Sequence, residues 1–236
     1  MNLQNRISDW LKSYLEDNNL KTFIVGISGG IDSAVTSTLC AMTGKKTVVV
    51  TMPIHQNPDE TDRGKRHIKW LKDNYSNIED YHIDLTGTYE DLKQAIPKIN
   101  IDNKELYDLS LANTRARIRM SSLYLISGGL KGIVVGTGNK IEDFGIGFFT
   151  KYGDGGVDIS PIGDLMKSEV WSLGQQLGII EDILNAQPTD GLWDDGRTDE
   201  DQLGISYNEL EWAMEYGEDD ILDNKQKNIL KIYHKH

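Results

Sequence analysis

An α/β fold, a parallel twisted sheet with helices on both faces, is predicted by three features of the 236-residue sequence. Short β-branched apolar runs alternate with stretches of helical periodicity. Two runs, residues 46–53 and 132–138, are almost continuously apolar, as strands covered on both faces must be. A third run passes straight into a glycine loop and then a helix, the connection through which such sheets meet ligands at the carboxyl ends of their strands.

In chain order, Ile7, Leu11 and Leu15, with Trp10 and Tyr14 beside them, predict an amphipathic first helix that serves packing. Lys21–Val25 is the first strand. Beyond the loop Gly26–Ser33, the apolar residues Val35, Leu39 and Met42 recur at spacings of four and three until Gly44, a helix with a glycine stop. Strand 46–53 follows, then a helix carrying Ile68 and Leu71, a short strand at Tyr81–Leu85, a helix over roughly Leu109–Ser127 and the strand 132–138. From Glu181 to Asp223 there are fifteen acidic residues and one basic residue, Arg197, yet Leu210, Ala213 and Met214 keep helical spacing, which predicts a solvated acidic flank. Residues 1–236 are therefore expected to form one domain, with an acidic helical C-terminal region from about residue 181.

A formal net charge of −12 argues against a nucleic-acid surface, which needs a basic face. No apolar run reaches membrane-spanning length and the segment Asn2–Asp17 is too polar for a signal peptide, so a cytoplasmic protein is expected. The single cysteine, Cys40, falls in the helix after the loop, where a small buried side chain is the expectation. His55, His67, His82, His234 and His236 show no paired metal spacing.

The loop Gly26-Ile27-Ser28-Gly29-Gly30-Ile31-Asp32-Ser33 predicts a phosphate site. The first N–H groups of a helix have no intrahelical partner, the helix dipole favours an anion, and Gly29 and Gly30 let the backbone approach phosphate oxygens, with Asp32 and Ser33 alongside. It lacks the lysine of an ordinary nucleotide P-loop. Gly26–Gly30 also fits G-x-S-x-G, so a serine hydrolase using Ser28, a later acid and His234 is a rival, as is a plain glycine turn with Asp32 or Ser33 capping the helix. A second loop, Gly136–Glu142, ends another strand and is expected to face the same pocket.

Ser28-Gly29-Gly30-Ile31-Asp32-Ser33 resembles the pyrophosphate-binding loop of the N-type ATP pyrophosphatases. Four further strings are Asn113-Thr114-Arg115-Ala116-Arg117-Ile118-Arg119-Met120, Gly136-Thr137-Gly138-Asn139-Lys140-Ile141-Glu142-Asp143, Gly147 to Asp158, and Pro188-Thr189-Asp190-Gly191-Leu192. Through them the chain resembles the ammonia-dependent NAD synthetases from Trp10 to Lys235. The resemblance implies an adenine nucleotide alpha hydrolase-like, Rossmann-like sheet, and amidation of deamido-NAD by ammonia with ATP split to AMP and pyrophosphate. Another member of the superfamily, amidating a different carboxylate, is the alternative, and a non-catalytic adenine-nucleotide sensor is a further one.

The same resemblance implies roles for individual residues. Gly26 to Ser33, Thr137, Lys167 and Thr189 would meet ATP, Lys167 standing in for the missing P-loop lysine. Asp32 and Glu142 would hold Mg²⁺ as hard oxygen ligands. Arg117, Lys151, Asp158, His234 and Lys235 would meet deamido-NAD, although Arg115 and Arg119, four residues apart, share the opposite helix face. Asp154 is the candidate for holding or deprotonating ammonium. A family contact to ATP falls near Asn57, where this chain departs from the pattern. The glycines and charges of the acidic loop with Asp190, Asp194, Asp195, Gly196 and Asp199 suit either a lid over ATP or a plain exposed acidic loop. A homodimer is implied, as is free ammonia or a separate ammonia-delivering protein, because no glutaminase segment precedes the first strand.

Overall fold

The computed structural model describes residues 2–97, 102–189, 198–217 and 222–235. Its centre is a four-stranded, all-parallel sheet in the order β3-β2-β1-β4, made of β1 (Thr22–Gly26), β2 (Lys46–Thr51), β3 (Ile78–His82) and β4 (Gly132–Val135). Helices α1 (Leu3–Asp17), α2 (Ile31–Met42), α3 (Pro58–Asn74), α4 (Thr86–Ala95) and α5 (Lys104–Gly129) are threaded between and around the strands.

Strand alternation builds two cores from one sheet. Phe23, Val25, Val49, Ile133 and Val135 join Leu11 and Leu15 of α1 and Val35 and Leu39 of α2 on one face. Ile24, Val48, Val50 and Val134 join Tyr89 of α4 and Met120 and Leu123 of α5 on the other. Every one of these side chains is buried, each worth roughly 1.5–3 kcal/mol, so the near-continuous apolar runs are what a two-sided sheet requires.

Beyond β4 the chain makes a π-helical turn, Lys140–Gly145, and then α6 (Lys167–Gln176), α7 (Glu181–Leu184), α8 (Asp199–Leu203), α9 (Tyr207–Glu215) and α10 (Asn224–Tyr233). Helix α6 returns to the sheet and packs on α2, where Gly174 lets it come close: a Cβ there would stand 2.7 Å from Ile31 Cδ1. Ile141 and Ile146 of the π-turn region, Met166, Tyr207, Leu210 and Ile229 form a third core that seats α9 and α10. The helical spacing at Leu210 and Ala213 thus marks a packed face. No helix among the described residues is long and apolar enough to cross a membrane.

The third strand lies three residues earlier than Tyr81–Leu85. Its residues are half-buried or exposed because it is an edge strand, so it carries little of the apolar signal of the central strands. The apolar residues just after it, Ile83 and Leu85, donate their N–H groups to the Thr51 and Pro53 carbonyls, and Leu85 already stands at the start of α4. Strand β4 stops at Val135, three residues short of the apolar run, where Gly136 turns to donate to the Ile159 carbonyl at 2.7 Å.

Candidate active site

The carboxyl ends of β1, β2 and β4 open into one cavity of about 400 Å³. Gly26, Ile27, Ser28, Gly30, Ile31 and Asp32 line it from the glycine loop, Thr137 and Glu142 from the loop after β4, and Asp154, Lys167 and Thr189 from later segments. A small polar recess adjoins it, shared by Ser28, Asp32, Ser33, Thr137, Glu142, Asp143 and Asp154.

The loop's geometry suits an anion. Helix α2 begins at Ile31 with Gly30 as its N-cap and no side-chain capping bond, so neither Asp32 nor Ser33 closes the helix end. Gly29 has φ +91°, and a Cβ there would sit 2.5 Å from the Glu60 carbonyl oxygen; only glycine fits. Ser28 and Ser33 brace the loop from within. Ser28 N–H donates to Ser33 Oγ (3.3 Å), Gly30 N–H to Ser28 Oγ (3.1 Å), and Ser33 Oγ to the Gly30 carbonyl (3.0 Å).

Below the loop lies a buried charge cluster. Lys167, the first residue of α6 and 2% exposed, donates to Asp32 Oδ2 at 2.7 Å and Glu142 Oε1 at 2.8 Å. Asn139, fully buried, donates from Nδ2 to Asp32 Oδ1 (3.1 Å), while its Oδ1 accepts the Ile141 and Glu142 N–H groups of the π-turn. The Tyr207 hydroxyl donates to Glu142 Oε1 at 2.6 Å. Burial alone would lower the Lys167 pKa, but the two carboxylates more than offset it and hold the ammonium charged, above its ordinary value. Burial lifts Asp32 above the usual carboxylate range despite Lys167, whereas Glu142, just as deep, is held below it by Lys167 and then Tyr207. Burial, then Glu142, Asp154 and Asp32, pushes Asp143 up to about 7. Asp154 is likewise raised by burial; its Oδ1 accepts Thr150 N–H at 3.1 Å, and Thr150 Oγ1 donates to Asn113 Oδ1 of α5 (2.7 Å).

Two hard carboxylates that share one ammonium already concentrate positive charge at a point, and that donor chemistry suits a divalent cation. Among the described residues no group of three or more His, Cys, Asp or Glu is arranged to hold an ion by itself, so such a cation would need phosphate oxygens and water to complete its shell.

A family model described as NAD synthase matches residues 3–235. The chain belongs to the NAD synthase family. It is 35% identical over 233 residues to the NH(3)-dependent NAD(+) synthetase of Carboxydothermus hydrogenoformans, covering 98% of this chain and 92% of that one. Among solved structures, the NMN synthetase of Francisella tularensis is similar, with a TM-score of 0.83, 31% identity and coverage of 99% and 92%. So is the NH3-dependent NAD synthetase of Campylobacter jejuni, with a TM-score of 0.75, 25% identity and coverage of 100% and 95%.

On this NAD synthase fold the residues expected at ATP and the metal converge on the cavity and its recess, except Gly29, which turns the loop from behind. Those expected at the dinucleotide do not line it. Arg117 is exposed on α5 and donates from Nε to the Lys151 carbonyl (3.0 Å), and Lys151 Nζ lies 5.1 Å from the Tyr152 ring centroid. Asp158 uses both oxygens internally, accepting from the Tyr124 hydroxyl (2.9 Å) and Val134 N–H (2.8 Å). His234 and Lys235 lie at the end of α10. No histidine lines the cavity among the described residues, so the Ser28–His234 hydrolase site is not assembled. Asn57 caps α3, accepting Asp59 N–H at 3.0 Å, and its neighbour Gln56 reaches the cavity instead. Of the acidic loop that suits a lid, residues 190–197 lie outside the described residues, and its Asp199 lines the cavity.

Arg119 lines the cavity as well, donating to the Met52 carbonyl (2.9 Å) and to Gln56 Oε1 (2.7 Å). The four-residue spacing of Arg115 and Arg119 carries that signal, and the other arginine of the face, Arg115, is buried beside the Tyr89 ring. Asn139 stands in the Gly-Thr-Gly-Asn-Lys string without a chemistry of its own to mark it. Tyr207 is separated from Glu142 by 65 residues and has no local signature at all.

Proposed function

We propose that this chain is a C–N ligase that makes NAD from deamido-NAD, ammonia and ATP, releasing AMP and pyrophosphate. Lys167 carries the reading: a permanently charged lysine buried beside an uncapped helix N-terminus and two carboxylates is suited to a polyanion such as ATP. A nicotinate carboxylate does not react with ammonia at neutral pH and must first be adenylated. Its oxygen attacks the α-phosphorus, the bond to pyrophosphate breaks, and ammonia then attacks the mixed anhydride and displaces AMP.

The protein's part is positioning and charge. Gly26 to Ser33 cradle phosphates with N–H groups and hydroxyls, Thr137 and Thr189 add hydroxyl donors, and Lys167 meets the phosphate charge. Asp32 and Glu142 would hold Mg²⁺, which would supply positive charge against the phosphates. Asp154, in the recess, holds ammonium or takes its proton beside the adenylate. Arg117, Lys151, Asp158, His234 and Lys235 receive the dinucleotide outside the cavity. In this reading residues 1–236 act as one cytoplasmic domain and the enzyme is a homodimer. Ammonia, free or delivered by a separate protein, is the nitrogen donor, and neither nucleic acid nor membrane takes part.

The likeness to the Francisella tularensis NMN synthetase favours a second reading, in which the acceptor is nicotinate mononucleotide and the product NMN. Purified enzyme given ATP, Mg²⁺, ammonium and either acceptor decides between them. NAD formed with equimolar AMP and pyrophosphate, at a kcat/KM above that for the mononucleotide, supports the main reading. The reverse ratio supports the second, and no ATP cleavage with either overturns both.

A further inference from the structure

Lys167 is the common partner of Asp32 and Glu142, but each carboxylate also has a holder of its own. Asp32 divides its bonds between two oxygens, Oδ2 to Lys167 and Oδ1 to Asn139. Glu142 concentrates both on one: Oε1 accepts Lys167 Nζ at 2.8 Å and the Tyr207 hydroxyl at 2.6 Å. Asp199 Oδ2 lies 3.2 Å from the same hydroxyl, whose single proton therefore goes to the nearer carboxylate.

The Lys167 ammonium lies 4.8 Å from the Tyr207 ring centroid, but the ring and its hydroxyl are also held by contacts of their own. Tyr207 is 3% exposed and opens α9, with Ser206 as N-cap accepting Glu209 N–H. Its own N–H donates to Glu200 Oε1 (2.9 Å), and its ring meets Trp171 edge-on with centroids 6.2 Å apart. A lysine that turns to ATP phosphates gives up its bonds to the carboxylates, and a cation and an ammonium repel each other at one point. Tyr207 is different in kind: a neutral donor can orient a carboxylate without opposing a cation.

We propose that Tyr207 is a positioning residue for the ATP-cleaving site, its hydroxyl keeping Glu142 aimed at the point between the two carboxylates when Lys167 leaves it to a divalent cation. The proposal rests on the reading that Asp32 and Glu142 hold that cation. A hydrogen-bonding partner behind a metal ligand typically accounts for roughly 10–100-fold in metal affinity.

The test is Mn²⁺ binding, followed by electron paramagnetic resonance with a non-hydrolysable ATP analogue and no acceptor substrate, so that turnover plays no part. Tyr207→Phe is expected to bind Mn²⁺ roughly 10–100-fold more weakly than the wild type while its affinity for the analogue without metal is unchanged. Incorporating 4-aminophenylalanine at position 207, which restores a donor, is expected to recover binding, and serves as the comparison should the Phe variant not fold. Wild-type binding retained within twofold by folded Tyr207→Phe overturns the role of Tyr207 alone, as does an amino variant that binds Mn²⁺ no better than one carrying 4-methylphenylalanine. A wild type that binds no Mn²⁺ beside the analogue overturns the cation reading and the proposal with it.

Discussion

Replacing Lys167 with Met removes a charge while keeping an unbranched chain of similar bulk, so the effect is electrostatic rather than a cavity. In the wild type the ammonium is 2% exposed and its partners' side chains only 17% and 15%. Without it, Asp32 and Glu142 remain buried together, with the neutral donors Asn139 and Tyr207 bonded to them. Removing one partner of a buried ion cluster costs about 3–5 kcal/mol. For a chain of this length 1 kcal/mol corresponds to roughly 2–4 °C, so Lys167→Met is expected to melt roughly 6–20 °C below the wild type at pH 7.5. Two signs accompany the loss. The deficit shrinks as pH falls, because protonating a carboxylate whose pKa has risen relieves the repulsion, and Mg²⁺ without nucleotide raises the variant's Tm more than the wild type's, because the lysine's position has opened to a cation. Differential scanning fluorimetry across pH, with and without Mg²⁺, measures all three. A variant that melts within 2 °C of the wild type and ignores both pH and Mg²⁺ refutes the view that Lys167 neutralises this pair.

Three further outcomes are expected. Gly29→Ala forces a side chain to φ +91° and to 2.5 Å from the Glu60 carbonyl; isothermal titration should show weakened ATP binding, with about 1–3 kcal/mol of lost stability in denaturant unfolding. His67, buried against Ser37 (2.9 Å) and Trp70, has its pKa lowered to about 4 by burial. Between pH 6.5 and 4 the unfolded chain binds a proton that the folded one refuses, so stability falls with pH by up to about 3 kcal/mol, and His67→Leu flattens that slope in urea titrations. Asp154→Asn is expected to cut kcat/KM for ammonia by roughly 10²–10⁴ with ATP affinity retained, and unchanged ammonia kinetics at several pH values would remove Asp154 from the chemistry.

Sequence patterns located the central strands because burial on both faces leaves continuous runs such as Thr47–Val50, and located the loop because glycine, hydroxyl and helix start are adjacent in the chain. The edge strand was displaced because Ile78–His82 mixes charge with apolar residues, and α4 lacks strong periodicity around its one fully buried side chain, Tyr89. Within the candidate site, Asp32, Glu142 and Lys167 were legible through motifs, and the structure brings the three together across 135 residues of chain. What holds them was not legible. Asn139 and Tyr207 act through position, and position comes from a π-turn and a helix start packed by the third core.

The most direct measurement is isotopic. Deamido-NAD labelled with ¹⁸O in its nicotinate carboxylate, turned over with ATP, Mg²⁺ and ammonia, is predicted to yield AMP carrying one labelled oxygen for each NAD formed, with pyrophosphate unlabelled. Label absent from AMP while NAD forms, or ADP and phosphate in place of AMP and pyrophosphate, would contradict adenylation at this site.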